Sequence, residues 1–77
     1  MVSPANIENG GYTMNIHHIT KFTFRNGKVQ YQVFYKSGRR HTVFEHQLTH
    51  KMIDIILNGR CSTSYYETGK VERFYIA

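Results

Sequence analysis

Six cations, Lys21, Arg25, Lys28, Lys36, Arg39 and Arg40, fall between Ile16 and Phe44 without one acidic residue among them. Gln30 and Gln32 are interleaved with them. Lysine and arginine gain affinity for phosphates by releasing condensed counterions, and a glutamine amide offers a donor and an acceptor to base edges. The chemistry expected of this set is recognition of nucleic acid, not bond breaking.

The other candidates are thinner. His46 and His50 stand four apart, a helical spacing that lets two imidazoles approach one ion, with His41 or Cys61 as a third donor. A closed zinc site needs four ligands, and no glutamate adjoins the first histidine as in a metalloprotease motif. No metal and no cofactor are therefore expected. His17 and His18 are adjacent, and successive strand residues face opposite sides. The acids Glu8, Glu45, Asp54, Glu67 and Glu72 are scattered, there is no glycine-rich phosphate loop, and Cys61 has no local nucleophile motif. No enzyme is expected, and Cys61 is read as a small buried residue. Tyr65 and Tyr66 offer one ring for stacking on bases while the other points toward the core side.

These residues need a scaffold, and the pattern around them is that of strands. From Ile16 apolar and polar residues alternate, the period of a half-buried sheet. Asn26-Gly27 is a two-residue turn signal. It pairs Arg25 with Lys28 and sets Phe24, Phe22, Thr20 and His18 opposite Val29, Tyr31, Val33 and Tyr35 on the core side. The other face then carries Arg25, Lys28, Thr23, Gln30, Lys21, Gln32 and Lys36, interrupted by an exposed Ile19/Phe34 pair. Ser37-Gly38 turns the chain back through Arg39 to Phe44 in either of two registers. A two-residue turn faces Thr42 and Phe44 to the core; a three-residue turn with a glycine bulge faces His41 and Val43 there.

From Glu45 to Leu57 the period becomes helical, with Leu48, Met52, Ile55 and Ile56 on one stripe and a left-handed cap at Asn58-Gly59. Ile53 and Leu57 fall away from that stripe and call for a second cover, either the C-terminal hairpin or another subunit. Cys61 to Tyr66 and Val71 to Ile76, joined at Thr68-Gly69, form a second hairpin. The expected fold is α+β, a small antiparallel sheet in the order β-β-β-α-β-β with one helix packed on it. Residues 1–14 are expected to be a flexible tail, with Met14 as a candidate natural start, and 15–77 a single domain.

Seventy-seven residues, a net charge of +5 and a pI near 9.6 bound the partners. Such a chain favours nucleic acid, DNA ahead of RNA, or an acidic protein. No run approaches the length of a membrane span, and no signal-peptide pattern is present, so the expected location is cytoplasmic. Three antiparallel strands followed by a helix are similar, in architecture only, to ethylene-response-factor DNA-binding domains and the arm-binding domains of tyrosine recombinases. That resemblance implies docking of the sheet in a major groove and carries no residue over. The alternative is a protein-interaction or inhibitor module that homodimerises or binds a host protein, as small phage or mobile-element proteins do. Its surface would be Ile19, Phe34, Ile53 and Leu57.

Overall fold

The structure, a computed structural model, describes residues 15–77. The expected tail over 1–14 and the start at Met14 lie outside the described residues. Five strands, β1 (Ile16–Phe24), β2 (Val29–Tyr35), β3 (Arg40–Val43), β4 (Arg60–Tyr66) and β5 (Gly69–Tyr75), form one antiparallel sheet in the order β3-β2-β1-β5-β4. A 3-10 turn (Glu45–Gln47) and one helix, α1 (His50–Asn58), connect β3 to β4. The expected α+β fold is what the chain adopts, with β5 docked beside β1 at the centre of the sheet. No helix among the described residues is long and apolar enough to cross a membrane.

The first turn differs from the expected one. Phe24 N–H donates to Lys28 O at 2.8 Å and Gly27 N–H to Phe24 O at 2.9 Å, so three residues, not two, form the loop. Gly27 has φ +91°, and among the described residues no non-glycine has positive φ. A type I′ turn would require positive φ at Asn26 as well; this geometry needs it only at the glycine. The Asn26 side chain accepts the Lys28 N–H at 2.9 Å and stiffens the loop. One residue of slip inverts β1 relative to β2. Ile19 now lies opposite Val33 on one side and Phe74 on the other, while Phe22 faces Gln30 and Thr20 faces Gln32.

Ser37-Gly38 repeats the device. Tyr35 N–H donates to Arg39 O at 2.8 Å, Gly38 N–H to Tyr35 O at 2.9 Å, and Gly38 has φ +93°. This selects the register with Val43 in the core and leaves Phe44 exposed.

The core lies between the sheet and α1, which crosses β1 and β5. Ile16, Ile19 and Val33 are fully buried at its centre, with Tyr31, Tyr35, Val43, Met52, Ile55 and Phe74 around them and Leu48 and Ile56 at its margin. The expected continuous helix from Glu45 is broken at Thr49. Thr49 is extended (φ −78°, ψ 166°) and its hydroxyl accepts the Met52 N–H at 3.2 Å, which makes it the cap where the true helix begins. At the other end Gly59 is extended, not left-handed, and its N–H donates to Ile55 O at 2.8 Å. The glycine is needed for space: a Cβ there would overlap the carbonyl oxygens of Tyr75 and Ile55.

Candidate nucleic-acid interface

The register slip divides the expected basic surface. Gln30 and Gln32 remain on the sheet face opposite the helix, and Arg40 joins them through its pairing with Phe34. Lys21 sits on the helix side instead, paired with Tyr31 and Glu72, its ammonium 6.0 Å from the Tyr31 ring. Burial, Glu45 and Glu72 push the Tyr31 phenol above its ordinary value. Arg25 opens the first loop and Lys28 follows it; the Arg25 guanidinium donates to Glu67 O at 3.4 Å and the Arg25 backbone N–H to Thr68 O at 3.1 Å. Lys36 opens the second loop and Arg39 follows it, and Arg39 and Arg40 line an open concavity beside Tyr35 and His41. The six cations are thus spread over two ends and two faces.

The expected interaction surface is corrected as well. Ile19 is wholly buried, because the three-residue turn places it against Val33 and Phe74. Phe34 is half-buried on the opposite face. Ile53 and Leu57 stay on the outer side of α1, Leu57 at 75% exposure, and the C-terminal hairpin does not cover it. Cys61, expected to be buried, is exposed because β4 is an edge strand.

In place of a lysine-rich face the sheet shows an aromatic and arginine-rich one. Reading across the strands, the first row on the uncovered side is Arg40, Phe34, His18, Tyr75 and Arg60. The next is Thr42, Gln32, Thr20, Arg73 and Ser62, followed by Gln30, Phe22, Val71 and Ser64. Phe24 and Tyr66 flank Gly69 beyond them. Among the described residues no Asp or Glu stands on these rows: Glu72 faces the helix, Glu67 is in the last turn, Asp54 is on α1 and Glu45 is in the 3-10 turn.

The first row is a stack. His18 lies 4.4 Å from Phe34 at an interplanar angle of 12° and 5.2 Å from Tyr75, while the Arg40 guanidinium sits 5.9 Å from the Phe34 ring. These separations match the spacing of neighbouring strands, about 4.8 Å, so the rings stand side by side and spend their faces on one another. A β-bulge between Ile16 and His18 also brings His17 round, its Nδ1 2.8 Å from that of His18, contrary to the opposite facing expected of adjacent strand residues. Burial, His17 and Arg73 together hold His18 below the ordinary histidine value of 6.5.

His46 and His50 fall in different elements, the 3-10 turn and the first residue of α1, so the four-residue helical spacing does not apply to them. Among the described residues no group of three or more His, Cys, Asp or Glu side chains converges on a common point. Tyr65 faces the helix side beyond its cover, at 79% exposure, and Tyr66 belongs to the open face at 56%. His18, Phe22, Phe24, Arg60, Arg73 and Tyr75 also stand on this face and are not among the candidates that the sequence pattern supplies. The sequence signal for most of them is a three-residue loop at Asn26-Gly27, like the one that Ser37-Gly38 permits, together with the alternation Val71, Arg73, Tyr75. Comparison with protein-family models, with curated proteins and with solved structures finds no match to this chain.

Proposed function

We propose that the protein binds nucleic acid through the sheet face opposite α1. The observation that carries this reading is the composition of that face: Arg40, Arg60 and Arg73 are distributed among Phe, Tyr, Gln and Thr side chains, and no described acid opposes them. An uncovered antiparallel face is usually polar, so three phenylalanines on one ask for an explanation. Rings, amides and guanidinium groups in one plane supply base contacts and phosphate contacts together. The activity is binding, with no reaction assigned to it.

A salt titration of oligonucleotide affinity tests the reading. Each phosphate contact contributes roughly −0.7 to −0.9 to the log-log slope. Replacing Arg40, Arg60 and Arg73 with alanine should flatten the slope by roughly 2 to 3 and leave the fold intact. Lys21→Ala, on the helix side, should change neither slope nor affinity. Wild-type protein without salt-sensitive affinity for DNA or RNA would refute the proposal and favour a protein-interaction module using Ile53 and Leu57, which are exposed on α1.

A further inference from the structure

We infer that the open face holds a subsite for one unstacked base, so that the preferred ligand is a single strand and not a duplex. This rests on the nucleic-acid reading above and narrows it. The site is a shallow depression of about 390 Å³ walled by Phe22, Phe24 and Tyr66, edged by the Gln30 and Gln32 amides, and bounded by Arg73. Val71, 7% exposed, forms an apolar floor.

Each part has a use in holding a base. The Phe22 and Phe24 rings are 6.5 Å apart and nearly parallel at 17°, a separation set by two residues of one strand and wider than the 4.4 Å between His18 and Phe34. They differ in this from the Phe34, His18 and Tyr75 row, whose faces are already engaged. Phe24 is 38% and Tyr66 56% exposed, leaving ring surface for a base to stack on. Gln30 and Gln32 each carry both donor and acceptor atoms, which lets them meet a base edge in either polarity. Arg73 supplies a cation for the adjoining phosphate. In a duplex the base faces are occupied by their neighbours, and such a depression would have nothing to receive.

A second copy of this chain is the competing occupant for an aromatic sheet face. Charge decides against it. Two-fold pairing would bring the three arginines against a face with no described acid to meet them, whereas a polyanion complements all three.

The test compares three labelled twelve-nucleotide ligands of one backbone chemistry at fixed salt: a mixed-sequence single strand, its duplex, and an abasic strand of equal charge. The wild type should bind the base-bearing strand at least about tenfold more tightly than the abasic one, and more tightly than the duplex. Phe24→Ala and Tyr66→Ala should each lose on the order of tenfold for the base-bearing strand and nothing for the abasic one, while Tyr65→Ala, on the other face, loses neither. Equal, salt-sensitive affinity for all three ligands would overturn the base subsite and leave the nucleic-acid reading standing. Absence of salt-sensitive binding to any of them would remove both. Sedimentation showing a dimer that Phe24→Ala dissolves would assign the face to a second copy and overturn the subsite.

Discussion

The two faces of this sheet are drawn from the same five strands and contain similar side chains, yet only one of them is covered. On the helix side the β-branched residues Ile19 and Val33 meet Phe74, Met52 and Ile55 and are sealed from water. On the open side Phe22, Phe24 and Phe34 are left half-buried or exposed beside arginines and glutamines. Hydrophobicity alone does not sort the two, since the larger apolar side chains of β1 lie outside. What sorts them is register: one extra turn residue at Gly27 gives the core the compact branched side chains that fit beneath a nine-residue helix. The aromatics then fall to the face that has no covering element, and there they form the surface proposed to receive nucleic acid.

The sharpest way to break this contrast is to remove matched side chains from each side. Ile19→Ala should cost about 2–5 kcal/mol, because a fully buried site loses both transfer energy and packing. In a domain this small that approaches the whole stability. Phe24→Ala, although it removes a larger ring, should cost less than about 1 kcal/mol, since Phe24 lies on the uncovered side. Denaturant melts of the two variants decide the matter, and equal losses would mean that the open face carries packing of its own.

Gly59→Ala probes how the covered face is closed. The added methyl would meet backbone of both α1 and β5, so the helix must move away from the sheet end, at a cost of about 1–3 kcal/mol. Unchanged melting would show that this junction yields freely.

A smaller effect should come from His18. Its neutral form is favoured in the folded protein by burial, His17 and Arg73. On acidification the unfolded chain takes the proton first, so this contribution to stability is complete above the ordinary value of 6.5 and is lost as pH falls below it toward the lowered folded value. An NMR titration should place the His18 midpoint below 6.5. A midpoint above it would mean that burial, His17 and Arg73 do not together disfavour the charged imidazole as this arrangement implies.

The elements were mostly recoverable from the chain: the alternation through β1 and β2, the helical stripe of Met52 and Ile55, and the Tyr-rich final hairpin all lie where local pattern places them. The candidate site was recoverable only in part. Gln30 and Gln32 lie on the expected face because β2 keeps its expected facing, and Arg40 joins them through one of the two registers that Ser37-Gly38 permits. The sequence pattern puts Lys21 and Ile19 on the wrong side because a local turn signal cannot distinguish two loop residues from three. That choice is made by which β1 side chains pack against Val33 and Phe74, a tertiary fact. Arg60 and Arg73 escape a local reading because they are far in sequence from the basic cluster and reach it only when β5 pairs with β1.

Binding at the open face is read most simply from the side-chain amide signals of the glutamines and asparagines during addition of a short oligonucleotide. Gln30 and Gln32 sit on the open face, whereas Gln47 lies in the 3-10 turn and Asn58 at the end of α1, bonded to Asp54 at 2.7 Å. Binding at the open face should give large, saturating shifts of the Gln30 and Gln32 side-chain NH2 signals that weaken with salt, and little movement of Gln47 and Asn58. Shifts confined to Gln47 and Asn58, with Gln30 and Gln32 unmoved, would contradict it.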